Sequence, residues 1–280
     1  MSQAEHFLLA FLFNRCALHF TWRHVFHQRL NQIVSLVYPA ACVGCEQSLS
    51  RTPKLVDEEF QSNWCDDCWV LLPEAWQRGC PKCGAFIKRP ETFGDRCALC
   101  HDMPLKFDSS VSLGNYQGML KRLVLDLKRD MNELLSFQLG RLLGMRLMQQ
   151  EFFDQADILI PVPIHWRRRF QRGFHAAAVI AEGVSSTADI AVGNGLVSCE
   201  RLTEKQGTLS GPKRFANVKD AFKLRPMASV EGANVVIVDD VMTSGATLGE
   251  LAKMLKKVGA ESVHCAVVAR GTGKYRSSVG

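Results

Sequence analysis

Eight of the eleven cysteines fall between Cys42 and Cys100, and all eight come as Cys-x-x-Cys pairs: Cys42/Cys45, Cys65/Cys68, Cys80/Cys83 and Cys97/Cys100. Two thiolates at one tight turn reach a single ion, and two such turns close a tetrahedral site. Gly44 and Gly84 supply small turn residues at the first and third pair. A disulfide framework would need an oxidising compartment, and a redox dithiol is expected once rather than four times in succession. The spacing therefore predicts two zinc ions, one on Cys42, Cys45, Cys65 and Cys68 and one on Cys80, Cys83, Cys97 and Cys100; interleaved pairing stays open. Four sulfur ligands leave no free coordination position, so both sites are expected to be structural. Cys16, Cys199 and Cys265 lie outside the pairs and are read as buried thiols.

The 280 residues divide into three stretches by pattern. Residues 1–40 carry His6, His19, His24 and His27 among apolar residues, with Leu18, Trp22, Val25, Phe26 and Leu30 at helical spacing, which predicts an N-terminal helical extension. Residues 41–106 are rich in Cys, Pro and Gly and too short of apolar runs to fold without a staple, which the metal sites supply. Residues 107–280 alternate strand and helix patterns: strands at 111–116, 158–163, 235–238 and 263–268, helices at 120–127, 134–148, 174–184 and 248–258. That rhythm predicts an α/β fold with a parallel sheet, preceded by a small zinc-ribbon domain. The apolar run Phe7–Phe13 is short of the ~20 residues of a membrane-spanning helix and lacks the flanks of a secretory signal, so a cytoplasmic protein with no transmembrane segment is expected. The net charge of +6 is compatible with anionic ligands without selecting one.

The stretch from Val235 to Thr247 carries the most chemistry. A buried apolar strand runs into Asp239 and Asp240, then through Val241 and Met242 to the turn Thr243-Ser244-Gly245-Ala246-Thr247, which opens a helix. Backbone N–H groups at such a turn converge on one point and favour a dianionic phosphate. Hydroxyls add donors, and Gly245 allows close approach. Carboxylates cannot share that phosphate; they suit the hydroxyls of an attached ribose. The lysine-containing phosphate loop of ATPases is missing. The competing reading is a surface turn with Asp239 and Asp240 as simple helix caps.

This stretch resembles the phosphoribosyl diphosphate (PRPP) signature of type I phosphoribosyltransferases: hydrophobics, two acidic residues, then a small hydroxylated turn. The resemblance implies that Asp239 and Asp240 contact the ribose hydroxyls, that the segment through Val241 and Met242 to Thr243, Ser244, Gly245, Ala246 and Thr247 holds the 5′-phosphate, and that Mg²⁺ accompanies PRPP. A narrower resemblance spans Cys42 to Arg270. The four cysteine pairs, Pro161-Val162-Pro163, Arg172-Gly173-Phe174, Arg201 with Gln206, Arg214 with Asn217, and the acidic turn are similar to the ComF/GntX family. That family has a phosphoribosyltransferase-type fold and is linked to natural transformation. Membership implies handling of incoming single-stranded DNA, with competence-machinery proteins as possible partners. His175 and Ala176 depart from the Asn-Gln that usually follows Arg-Gly-Phe.

After the strand at Ile158, the segment Ile164–Gly173 packs Arg167, Arg168, Arg169 and Arg172 into six residues. Read as a loop at the sheet's C-terminal edge, it would face the crevice of the acidic turn and clamp diphosphate through forked guanidinium donors. Arg172 is favoured by the family pattern and, with Asp239 and Asp240, forms the expected catalytic set; Lys128 and Arg129 are weaker candidates. Solvation of a basic loop is the competing reading. Two functions follow. One is a PRPP-binding protein that also holds single-stranded DNA through the arginines and through Trp64, Trp69 and Trp76, unless these rings pack on the metal core. The other is an active phosphoribosyltransferase of nucleotide metabolism without a DNA role.

Overall fold

The computed structural model describes residues 41–49, 63–70, 79–86, 92–129, 132–204 and 211–272. The expected N-terminal helix with its histidines, Cys16, Trp76 and Gln206 lie outside the described residues. The chain falls into two compact units, Met1–Cys65 and Asp66–Gly280. In the first, Ala41 and Ser48 form an antiparallel bridge, and the Cys42 and Glu46 amides close a tight turn onto Gln47 O and Cys42 O.

The second unit begins with helix α1 (Asp66–Val70) and the small antiparallel pair β1 (Thr92–Phe93) and β2 (Arg96–Cys97). The main sheet then starts at β3 (Ser110–Asn115), followed by α2 (Gly118–Arg129) and α3 (Glu133–Leu147). The Asn132 side chain accepts the Leu135 amide at 2.9 Å, so α3 starts with its own N-cap and the two helices stay separate. Next come β4 (Ile158–Pro161), α4 (Trp166–Arg172), α5 (Ala176–Ala188), β5 (Ala191–Val192) and the antiparallel pair β6 (Val197–Cys199) and β7 (Phe222–Leu224), with α6 (Gly211–Val218) between them. The chain closes with β8 (Asn234–Met242), α7 (Ala246–Lys257) and β9 (Ser262–Arg270).

The sheet has five strands in the order β3-β9-β8-β4-β5, and every pairing is parallel. Chain order runs outward from β4 to β5 and, on the other side of β4, from β8 to β9. The winding therefore reverses between β4 and β8, and crevices for ligands open beyond the C-terminal ends of strands at such a reversal. Sidedness explains the apolar runs. Val235, Ile237, Cys265 and Val267 share one buried cluster with α7 and with Cys83, Cys97, Cys100, Leu105 and Phe107, while α3 and α5 cover the opposite face. The second group of cysteines thus belongs to the same core as the sheet. Cys199 and Cys265 are buried free thiols.

Two differences from the sequence reading matter for the site. The strand read as ending at Val238 continues through Asp239 and Asp240 to Met242, because β9 pairs with it as far as Arg270. The arginine-rich segment read as a loop is a helix: His165 accepts the Arg167 amide through Nδ1 at its start, and Gly173 adopts φ 64° at its end.

Helices α3 and α5 approach so closely that a Cβ on Gly140 would lie 2.2 Å from Ile180 O, and one on Gly183 would lie 2.2 Å from Phe137 O. Backbone cannot swing aside as a side chain can. Gly140→Ala is expected to lower the unfolding free energy in urea by about 1–3 kcal/mol, against no loss for alanine at Gly249 in α7, where a Cβ would meet its nearest neighbour at 3.7 Å. Equal denaturation midpoints for the wild type and Gly140→Ala would contradict this packing.

Candidate functional site

Asp239 and Asp240 sit in β8 near its end, at the edge where the sheet's winding reverses. The Asp239 Oδ1 accepts the Asp240 amide at 2.9 Å. Lys128, on α2, places Nζ 2.9 Å from Asp240 Oδ2, so a residue that ranked as a weak candidate in sequence is joined to the acidic pair. Burial and the neighbouring Asp240 charge push the Asp239 carboxyl up to about 8. Burial works against the Lys128 charge, but attraction to Asp240 prevails and holds its ammonium above the usual range. One carboxyl of the pair therefore keeps its proton near neutrality, and the other is ion-paired. Such a pair can both donate to and accept from the hydroxyls of a sugar.

The turn that follows is shaped by close packing. Gly245 has φ 73° and starts α7; a Cβ there would lie 2.5 Å from Leu105 Cδ2. Thr243 is exposed and Ser244 and Thr247 are half-buried, with Ser244 Oγ accepting the Ala246 amide at 3.4 Å. The hydroxyl groups thus stand at the surface of the turn while Gly245 and Ala246 are buried in it.

Beneath the turn lies a residue that the sequence reading did not single out. Arg270, 0% exposed at the end of β9, donates Nη1 to Met242 O at 3.0 Å and to Thr243 O and Gly271 O, and its Nη2 lies 3.5 Å from Met103 Sδ. Its Nε is buried without a hydrogen-bond partner. A charged residue closing the apolar run Cys265–Ala269 was the available signal.

The cysteines form two groups, Cys42, Cys45, Cys65 and Cys68, and Cys80, Cys83, Cys97 and Cys100, with the sulfurs of each within 4.8 Å of one another. The separations Cys45–Cys65, Cys80–Cys100, Cys83–Cys97 and Cys97–Cys100 are 3.6, 3.8, 3.7 and 3.8 Å. Bonds of ~2.3 Å in a tetrahedron put sulfurs ~3.8 Å apart, so the donor set fits a four-coordinate thiophilic ion. Burial raises the Cys42 thiol, yet the amides of Cys65 (3.2 Å) and Gly44 (3.4 Å) outweigh it and bring it down to about 7. Interleaved pairing of the four turns is not what the structure adopts.

The arginines of α4 diverge. Arg167 is exposed, with its guanidinium 5.2 Å from the centre of the Trp166 ring. Arg168 turns back and donates to Thr203 O. Arg169 is exposed and lines a cavity of about 280 Å³ with Trp166, His175, Asn194, Ser198, Glu200 and Arg225, beyond the end of β4. Arg172 is the last residue of the helix. His175 binds Val162 O through Nε2 at 2.8 Å, and burial holds its imidazole below the usual range, neutral in the crevice. Arg201 and Asn217 tie the excursion between β6 and β7: Arg201 donates to Asn217 O and Lys219 O at 2.9 and 2.7 Å, and Asn217 exchanges two hydrogen bonds with the Glu204 backbone. Trp64 is buried at 4% exposure, so it offers no stacking face; Trp69 is half-buried.

Fold and acidic turn together define a phosphoribosyltransferase-like protein, and a phosphoribosyl transferase domain matches residues 177–278. The DNA utilization protein YhgH of Salmonella typhimurium is 30% identical over 233 residues, covering 81% of this chain and 96% of the relative. Competence protein F of Haemophilus influenzae is 29% identical over 194 residues, covering 68% and 85%. Competence protein ComFC of Bacillus subtilis is 25% identical over 205 residues, covering 70% and 78%. A purine phosphoribosyltransferase from Pyrococcus horikoshii aligns over 48% of this chain and 70% of its own, at 20% identity and a TM-score of 0.31. The chain belongs to the ComF family of competence and DNA utilization proteins. Among the described residues no helix is long and apolar enough to cross a membrane.

The raised Asp239 carboxyl gives a pH dependence with a definite sign. Its folded pKa of about 8 lies above the unfolded value of about 4. The folded state therefore binds the extra proton between these values, and stability falls as pH rises through that window. Asp239→Asn should flatten the fall: its melting temperature, relative to wild type, should be higher at pH 8 than at pH 5. An offset independent of pH would rule the assignment out.

Proposed function

We propose that the chain binds PRPP at the β4–β8 edge and handles incoming single-stranded DNA in the cytoplasm during DNA uptake. The observation that carries the first part is the placement of Asp239, Asp240 and the Thr243–Thr247 turn at the winding reversal of a parallel sheet. Asp239 and Asp240 take the ribose hydroxyls. Thr243, Ser244, Gly245, Ala246 and Thr247, with the backbone through Val241 and Met242, take the 5′-phosphate. Arg169 and Arg172, with Arg167 and Arg168 on the same helix, are the candidate clamp for diphosphate. Carboxylate and hydroxyl oxygens are hard donors that fit Mg²⁺, which would supply charge neutralisation to the diphosphate. Zinc is assigned to both cysteine groups as a structural ion, because four thiolates leave no open position. The names of the relatives, DNA utilization and competence proteins, support the DNA role and make proteins of that machinery candidate partners.

A second reading, phosphoribosyl transfer in nucleotide metabolism, draws on the cavity beyond β4. Its polar lining of Arg169, His175, Asn194, Ser198 and Glu200 lies beyond β4, the strand paired with β8, and is the candidate place for an acceptor. Transfer would pass through a cationic ribose while diphosphate leaves, so positioning and charge stabilisation would supply most of the catalysis. Diphosphate release from PRPP with candidate acceptors separates the two readings.

Calorimetry with PRPP and Mg²⁺ tests the site. The double change Asp239→Ala with Asp240→Ala should abolish binding while the circular-dichroism spectrum stays native; unchanged affinity would refute the assignment. Metal analysis should find two zinc ions per chain. Cys83→Ser, in the group buried against the sheet, should lose one of them and lower the melting temperature, and full metal content in that variant would remove Cys83 from the ligand set.

A further inference from the structure

Helix α4 presents an unusual outer face. At 100° per residue, Trp166 and Phe170 stand 40° apart on one side, Arg167 and Arg169 flank them, and Arg168 points the opposite way. The side chains obey that arrangement. Trp166 is 66% exposed and Phe170 89% exposed, Arg167 and Arg169 are exposed, and Arg168 turns inward, to Thr203 O. Two large rings in water on adjacent turns are costly unless something covers them. The guanidinium of Arg167 over the Trp166 ring holds that indole face-on to a cation.

We propose that this aromatic stripe between two arginines is the stacking platform for single-stranded DNA. The inference rests on the DNA-handling reading above and gives it a surface. Charge complementarity selects the occupant: the stripe carries cations on both flanks, so its partner carries anions on both sides of an apolar face. An unpaired strand does so, with bases free to stack on the rings and phosphates running past the guanidiniums. A duplex does not, because its base faces are already stacked. The platform replaces Trp64, whose ring is buried, as the aromatic element of the reading. Phe170 has no place in the proposed PRPP site, and its exposure means that truncation leaves packing intact.

Fluorescence anisotropy on the full-length, zinc-loaded protein tests this with a labelled oligothymidylate of about 16 nucleotides and the matching duplex. Phe170→Ala should weaken the single-strand affinity on the order of 5- to 150-fold, as base–ring stacking predicts, while PRPP affinity stays at the wild-type value and Phe170→Trp retains DNA binding. The slope of log affinity against log salt separates the two components. It should be unchanged in Phe170→Ala, which removes no charge, and shallower by about 0.7 in Arg167→Ala, which removes one phosphate contact. Wild-type single-strand affinity in Phe170→Ala, or equal wild-type affinity for strand and duplex, overturns the platform and leaves the DNA reading standing. Failure of the wild type to bind any single strand overturns the DNA reading and the platform with it.

Discussion

A buried guanidinium fastens the Thr243–Thr247 turn to the sheet. Arg270 is the last residue of β9, and its register partner is Met242, the last residue of β8. From that position its side chain reaches under the turn and donates to the carbonyls of Met242, Thr243 and Gly271. Burying a cation costs several kcal/mol in order of magnitude unless acceptors surround it. The turn therefore cannot drift from the sheet without stranding this charge. Its other edge meets Met103 Sδ, three residues after Cys100; the Cys80 and Cys97 thiols and burial raise the Cys83 thiol, and the Arg270 charge works against them. Two regions with no sequence proximity, the second cysteine group and the acidic turn, are braced by one side chain.

That brace explains why the second cysteine group lies in the core cluster. Leu105 and Phe107, in the segment after Cys100, fill the space under α7, with Leu105 occupying the place a side chain on Gly245 would need. Lys82 adds backbone contacts, donating to Phe107 O and Asp108 O at 2.5 and 2.9 Å. The segment after the second cysteine group is thus the floor on which the Thr243–Thr247 turn rests. The glycine is required twice over, by its positive φ and by the leucine beneath it.

The features legible in the sequence were those with a short-range physical signature. Paired cysteines announce their turns, alternating apolar runs announce the parallel sheet, and the order of strand, Asp239-Asp240 and small turn announces its edge. What stayed hidden depended on tertiary pairing. Asp239 and Asp240 read as residues beyond a strand, because charged side chains end most buried strands; only the partner β9 shows that they continue it. Lys128 is one basic residue among several on α2 until the fold brings it to Asp240. For Trp64 the sequence offers two readings, a stacking face or packing on the metal core, and its burial selects the second.

The arginine segment is the most instructive miss. As a loop, consecutive arginines compete for one crevice and their roles cannot be told apart. As a helix, the same residues are sorted by a rotation of 100° per step. Arg168 is sent inward to a carbonyl, Arg169 to the cavity beside His175, and Arg167 outward over an indole. The signals for a helix were present at both ends: a histidine able to accept the Arg167 amide, and a glycine after Arg172 free to turn left-handed. Glycine is a common helix stop, but histidine is an infrequent N-cap, so the start of the helix carried no strong signal. One basic run on a short helix can then face a small anionic ligand with one side and a polyanion with another.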